Sequence, residues 1–177
     1  MNSRRSSTIT LRDTWTATGG KPTEMETTGM NGLKLSKELV QIRFQRPSVL
    51  VGQNLDFLEK LTDNKINIAF LSWVVANGEI QLSCCIAPED YYQVLAILAS
   101  QPGLKELSSI KPSVCLLSLF PHKNRLQYLA QSLNVLIKLN LPIYGLASSL
   151  SSITFVTDYR RSHDTKNTLK TFLSSGL

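Results

Sequence analysis

Residues 67–87 read NIAFLSWVVANGEIQLSCCIA, and this stretch decides the fold. Two apolar runs flank Asn77-Gly78. An Asn-Gly pair accepts positive φ at both central positions of a type I′ turn, so the stretch is expected to be a two-stranded hairpin. Beyond the turn, Ile80, Leu82, Cys84 and Ile86 share one face, while Glu79, Gln81, Ser83 and Cys85 share the other. That alternation is the period of a half-buried strand.

Helical patterns stand on both sides of the hairpin. Upstream, residues 39–44 (LVQIRF) alternate as a strand that Pro47 ends. A loop through Gly52 then leads into NLDFLEKLTDN, where Leu55, Leu58 and Leu61 suggest one helical face and Asn54 a cap. Downstream, Pro88-Glu89-Asp90 has the proline and acids of a helix start. Tyr91, Val94, Leu95 and Leu98 follow at helical spacing, and Pro102-Gly103 stops the run. Residues 104–108 are expected to supply a closing strand.

The same order recurs further on. Residues 114–120 (VCLLSLF) read as a strand, and 121–123 as a loop. Leu126, Leu129, Ala130, Leu133, Leu136 and Ile137 give a helical face that ends near Pro142. Residues 143–147 and 152–157 read as two strands, and 164–173 as a helix with Leu169, Phe172 and Leu173 inward. This second pass has no fourth strand of its own; residues 7–16 or the region around Leu104 are the candidates to complete it. The expected fold class is α+β: two ferredoxin-like (βαββαβ) units, each an antiparallel sheet covered by two helices. The expected division is an N-terminal extension at 1–27, a first unit at 28–109 and a second at 110–177.

Composition narrows the function classes. Of 177 residues, 42% are hydrophobic and 18% charged, which supports a packed core. The net charge of +6 is spread along the chain without a basic run, so nucleic acid is not the expected partner. Phe70, Trp73 and Phe155 fit a core better than a base-stacking platform. No apolar run is long enough to span a bilayer, and no apolar signal core follows Arg4 and Arg5, so a cytoplasmic location is expected. Cys84 and Cys85 are adjacent on a strand and point to opposite faces, and Cys115 lies in another apolar run. They read as buried thiols, not a disulfide framework or a metal set. His122 with Lys123 and Asn124 reads as a loop able to meet an anion. His163, after Arg160 and Arg161 and before Asp164, reads as part of a helix-start cluster. No catalytic triad, metal spacing or phosphate-binding glycine loop is present, so neither a cofactor nor a metal is expected.

In order and spacing the chain resembles the paired ACT domains of the regulatory end of aspartokinases. Arg5-Ser6-Ser7 resembles the arginine-serine strand that follows the kinase domain there. Thr28-Gly29-Met30, with residues 39–42 behind it, resembles the start of the first unit. Lys65-Ile66-Asn67-Ile68 resembles the turn out of its first helix. Glu79-Ile80-Gln81-Leu82-Ser83 and Pro88-Glu89-Asp90-Tyr91 resemble the strand and helix start that close it. Leu141-Pro142-Ile143 and residues 147–155 (ASSLSSITF) resemble the second unit's turn and hairpin. The kinase signature is absent from the 177 residues, so the chain itself is expected to be non-catalytic.

The resemblance implies an amino-acid effector of the lysine or threonine class. It places the site at Val51, Gly52, Gln53 and Asn54, with Asn67 and Ile68 opposite. A helix N-terminus offers free N–H groups to a carboxylate, and a glycine permits close backbone approach. In the alternative reading Gly52 serves only a turn, Asn54 only a cap and Asn67 only a helix end. The second unit departs from the pattern, with Gln127 at the glycine position, Pro142 for the turn asparagine and Leu150 for the hairpin glutamate. The implied partner is a second copy of the chain or an aspartokinase-like catalytic subunit. The rival function is a protein–protein dimerisation scaffold with no small ligand.

Overall fold

A computed structural model describes residues 32–47, 51–101, 103–120, 126–149 and 151–174. The strand expected within 7–16, His122 and Leu150 lie outside the described residues. The described elements, in chain order, are β1 (Gly32–Leu35), β2 (Leu39–Pro47), α1 (Val51–Asp63), β3 (Ile68–Ala76) and β4 (Glu79–Ile86). They continue with a 3-10 turn (Pro88–Asp90), α2 (Tyr91–Ala99), β5 (Ser108–Phe120) and α3 (Leu126–Lys138), and end with β6 (Ile143–Ser148), β7 (Ile153–Asp158) and α4 (Ser162–Ser174).

The hairpin forms as its sequence dictates. Asn77 (φ 52°) and Gly78 (φ 75°) both take positive φ, and β3 and β4 pair from Ala76↔Glu79 outward. Ile80, Leu82, Cys84 and Ile86 are each at most 1% exposed. They pack with Val40, Ile42 and Phe44 of β2, Phe57 and Leu61 of α1, and Val94 and Leu98 of α2. Each such apolar side chain contributes about 1.5–3 kcal/mol by leaving water, which makes this core the anchor of the first half.

All strands belong to one seven-stranded antiparallel sheet, ordered β3-β4-β2-β5-β7-β6, with β1 pairing β5 off that path. Of the strand expected at 104–108 only Ser108 is extended, and 103–107 form a turn; a single strand, β5, runs from Ser108 through the strand expected at 114–120. The first end of β5 pairs with β2, from Phe44↔Ser108 to Gln41↔Lys111. Its second end pairs with β7 on one side and β1 on the other. Between Leu39↔Val114 and Gln41↔Lys111 the register shifts, so Pro112 and Ser113 form a bulge. Pro112 has no N–H to give to the ladder, and Ser113 sits at φ 58°. A bulge bends its strand and increases local twist.

Each half therefore has the ferredoxin-like strand order, β3-β4-β2-β5 in one and β6-β7-β5-β1 in the other. The strand that completes the second half is β1, whose register runs from Gly32↔Phe120 to Leu35↔Leu117. The sequence offers residues 7–16, outside the described residues, or the region around Leu104 for this edge. Leu104 is instead a buried turn residue in the first core. The break between β1 and β2 falls at Ser36, whose backbone N–H donates to the Leu116 carbonyl (2.9 Å). Its Oγ in turn accepts from the Leu116 N–H (2.9 Å).

The second core joins Leu117, Leu119, Ile153 and Phe155 of the sheet to Val135 and Leu136 of α3 and Leu169 of α4. In α3 the buried stripe falls on Tyr128, Leu129, Ser132, Leu133, Val135 and Leu136, with Leu139 just beyond the helix, and not on Ala130 and Ile137; Ile137 is 67% exposed. Arg161 donates to the Leu139 carbonyl (2.7 Å) and the Asn140 carbonyl (2.9 Å), capping the end of α3. A third, smaller core lies where the two halves meet. Leu39, Phe70, Cys85, Val114 and Val156 are buried there, with Leu116 and Tyr144 beside them. Phe70 and Phe155 are thus core residues.

Candidate functional site

α1 begins at Val51, three residues ahead of the expected cap, so Asn54 lies inside the helix. Its buried stripe runs Asn54, Phe57, Leu58, Leu61 at i, i+3, i+4 and i+7, while Leu55 is 51% exposed. Leu58 and Leu61 lie on the stripe as expected, and only Leu55 falls off it, with Asn54 in its place. The physical consequence is an amide on an apolar face. Asn54 is 1% exposed, and neither its Oδ1 nor its Nδ2 has a hydrogen-bond partner. Leaving such a group unpaired in the interior costs about 1–3 kcal/mol.

By helix geometry the N–H groups of Val51, Gly52 and Gln53, the first of α1, have no intrahelical acceptor. No acidic side chain occupies its first turn, so α1 itself supplies no carboxylate to its positive end. Gly52 is exposed, and a Cβ built on it would meet nothing within 4 Å. Its φ is not among the positive values. Neither a turn nor the chain's own packing therefore requires glycine at 52. Across the half, Asn67 is exposed at the foot of β3, and Ile68 packs on the core that α1 also covers. Lys65, at φ 57°, makes the turn that brings β3 back under α1. The structure thus brings Ile68 and α1 onto one core.

The second half lacks this arrangement. Gln127 is exposed in the first turn of α3, and Leu129 stands one turn in. The buried polar residue described on α3 is Ser132, fully buried with no partner for its hydroxyl. The sequence signal for Ser132 was a hydroxyl inside an apolar stripe. Gln41 was missed as well: period 2 put it on the polar face, yet it is fully buried between the halves. Its Nε2 donates to Ser83 Oγ (2.8 Å) and to the Tyr144 carbonyl (3.2 Å). His163 is exposed in the first turn of α4.

The three thiols offer no nucleophile. Burial pushes Cys84 and Cys85 up to about 12, each raised further by a neighbouring thiol. Burial likewise raises Cys115 to about 11, with Ser162 opposing and Asp158 reinforcing the shift. No group of three or more metal-ligating side chains occurs among the described residues, and no helix among them is long and apolar enough to cross a membrane.

The fold defines a class: two ferredoxin-like halves on one sheet. That is the fold of aspartokinase regulatory chains. A solved structure of aspartokinase alpha and beta subunits superposes with a TM-score of 0.72 at 17% identity, over 82% of this chain and 99% of that one. The ligand-free regulatory subunit of aspartate kinase from Thermus thermophilus gives 0.69 at 14%, over 81% and 97%. E. coli aspartokinase III in complex with lysine and aspartate gives 0.59 at 12%, over 85% of this chain and 34% of that one. At these identities the likeness is one of fold. No protein-family model and no curated protein sequence matches the chain.

Proposed function

We propose that this chain is a non-catalytic, amino-acid-sensing regulatory protein whose effector binds at the start of α1. The observation that carries the reading is Asn54, a buried amide with both polar atoms unpaired, next to the first backbone N–H groups of α1, which have no intrahelical acceptor. An α-amino acid complements both features. Its carboxylate accepts from the helix N–H groups and from Asn54 Nδ2, and its ammonium donates to Asn54 Oδ1. Val51, Gly52 and Gln53 supply the backbone, Gly52 leaves room for close approach, and Asn67 and Ile68 form the opposite wall. Asn54 is closed off from solvent, so a ligand that reaches it must shift the α1 turn. Occupancy then becomes a change of shape, limited by the ligand's differential affinity for the two arrangements.

The effector is of the lysine or threonine class, and the protein acts through a second copy or an aspartokinase-like catalytic subunit. The shared fold with regulatory subunits supports this reading. Calorimetric titration with lysine, threonine and the other standard amino acids tests it; saturable heat with one of them is the expected result, and none with any contradicts it.

One observation favours the scaffold reading. The strand β3 is an edge of the sheet, its sequence IAFLSWVVA has neither charge nor proline, and Leu71, Val74 and Val75 are exposed on it. Edges of soluble sheets are ordinarily protected by charge, proline or cover. A pairing edge and an effector site are compatible, because an interface beside the site would let occupancy bias assembly.

A further inference from the structure

The face of the first half that carries no helix holds a cleft of about 740 Å³, walled on one side by Tyr144 and Gly145 of the second half. Its floor is set by strand register. Ser72 lies opposite Ser83, Ser83 opposite Arg43, and Arg43 opposite Ser109. Four strands thus present, in one row, three hydroxyls and a guanidinium on the same face. Arg43 and Glu106, both at the cleft, have neither an ion-pair nor a hydrogen-bond partner among the described residues.

We propose that this cleft is a second small-molecule site, distinct from the α1 turn, that takes a small hydroxylated zwitterion carrying one carboxylate and one ammonium group. Arg43 receives the carboxylate through its two-pronged fork, the serine row hydrogen-bonds the ligand's hydroxyl, and Glu106 receives the ammonium. The charge balance selects this class over a phosphate. Glu79 also lines the cleft, and its carboxylate accepts from Gln45 Nε2 (2.8 Å). Lys111 stands over the Tyr144 ring at 4.6 Å. The lining thus holds two acids and one base, with Lys111 beside the Tyr144 wall, and the two carboxylates repel a dianion while Arg43 still pairs a single carboxylate. Because Tyr144 and Gly145 belong to one half and the floor to the other, a bound ligand bridges the two.

The test is calorimetric titration of L-threonine, with butyrate as the carboxylate that lacks the ammonium. It is run on the full chain in an Asn54→Leu background, which removes the α1 amide, and on the same background with Arg43→Ala or Arg43→Lys. Saturable threonine binding to the Asn54→Leu chain is expected. Arg43→Ala should weaken it at least tenfold, with Arg43→Lys intermediate and butyrate at least tenfold weaker than threonine. Arg43 is exposed, and an unchanged far-ultraviolet spectrum confirms that its variants fold. Absence of threonine binding to the Asn54→Leu chain, or affinity untouched by Arg43→Ala, overturns the proposal. Loss of binding at the α1 turn alone leaves it standing.

Discussion

Asn54 occupies the position on the α1 stripe where the packing around it asks for a hydrocarbon of the same size. Leucine there would remove two unsatisfied polar atoms and add apolar burial against Phe57 and Leu61. Asn54→Leu is therefore expected to stabilise the ligand-free chain by about 1–3 kcal/mol. Urea denaturation measures this as a higher midpoint at unchanged slope; an equal or lower midpoint would mean the amide is satisfied after all. The buried thiols give a second consequence at this scale. Their values of about 11 to 12 lie above the ordinary thiol value of 9.0. Above about pH 9 the unfolded chain releases these protons and the folded chain keeps them, so stability falls as pH rises until the folded values are passed. The fall is up to about 1.4 kcal/mol per pH unit for each thiol. Denaturation midpoints at pH 8 and pH 10 should differ accordingly, and by less in a Cys85→Ala, Cys115→Ala chain; equal differences in the two chains would rule out this cause. At the residue scale the sequence announced the thiols and the Asn77-Gly78 turn. It hid Asn54, because a polar residue before a leucine triplet reads as a cap until the helix start is known.

At the scale of elements, the strands were legible because period 2 is strict and Asn-Gly and Pro punctuate it. The helices were legible as segments and in most of their phase, with Leu58, Leu61, Leu129, Leu133 and Leu136 on the buried stripes; what was hidden is that α1 and α3 each bury a polar residue, Asn54 or Ser132, and each exposes an apolar one, Leu55 or Ile137. The strand β5 was not legible as one element. Pro112 inside a run reads as a break, yet here it marks a bulge that bends one strand from the first half into the second. The exposed edge β3 carries the prediction at this scale. Val75 is 61% exposed, so Val75→Lys should leave the midpoint of unfolding within about 0.5 kcal/mol of wild type. It should also weaken self-association at least tenfold by sedimentation equilibrium, since a charge on an open edge blocks pairing. Unchanged association of the variant would move the interface elsewhere.

On the scale of the whole molecule, the repeated order of elements gave the two halves, and the resemblance in order and spacing gave the regulatory-chain fold. What the sequence could not give was how the halves share a sheet. β1 precedes the first half in the chain yet completes the second, a pairing decided by register over some eighty residues of separation and by no local signal. The polar cleft follows from that same arrangement, since its floor and its wall come from different halves. The α1 site is the reverse case. Its position was legible from motif order, while its chemistry rests on the phase of one helix. The central claim is that Asn54 is kept at a cost to stability because it binds an effector. Titration of lysine and threonine into wild-type and Asn54→Leu chains tests this most directly. The account predicts an effector that depends on Asn54, its affinity falling at least tenfold in the variant. An affinity equal in the two chains would contradict it, and so would the absence of binding to wild type.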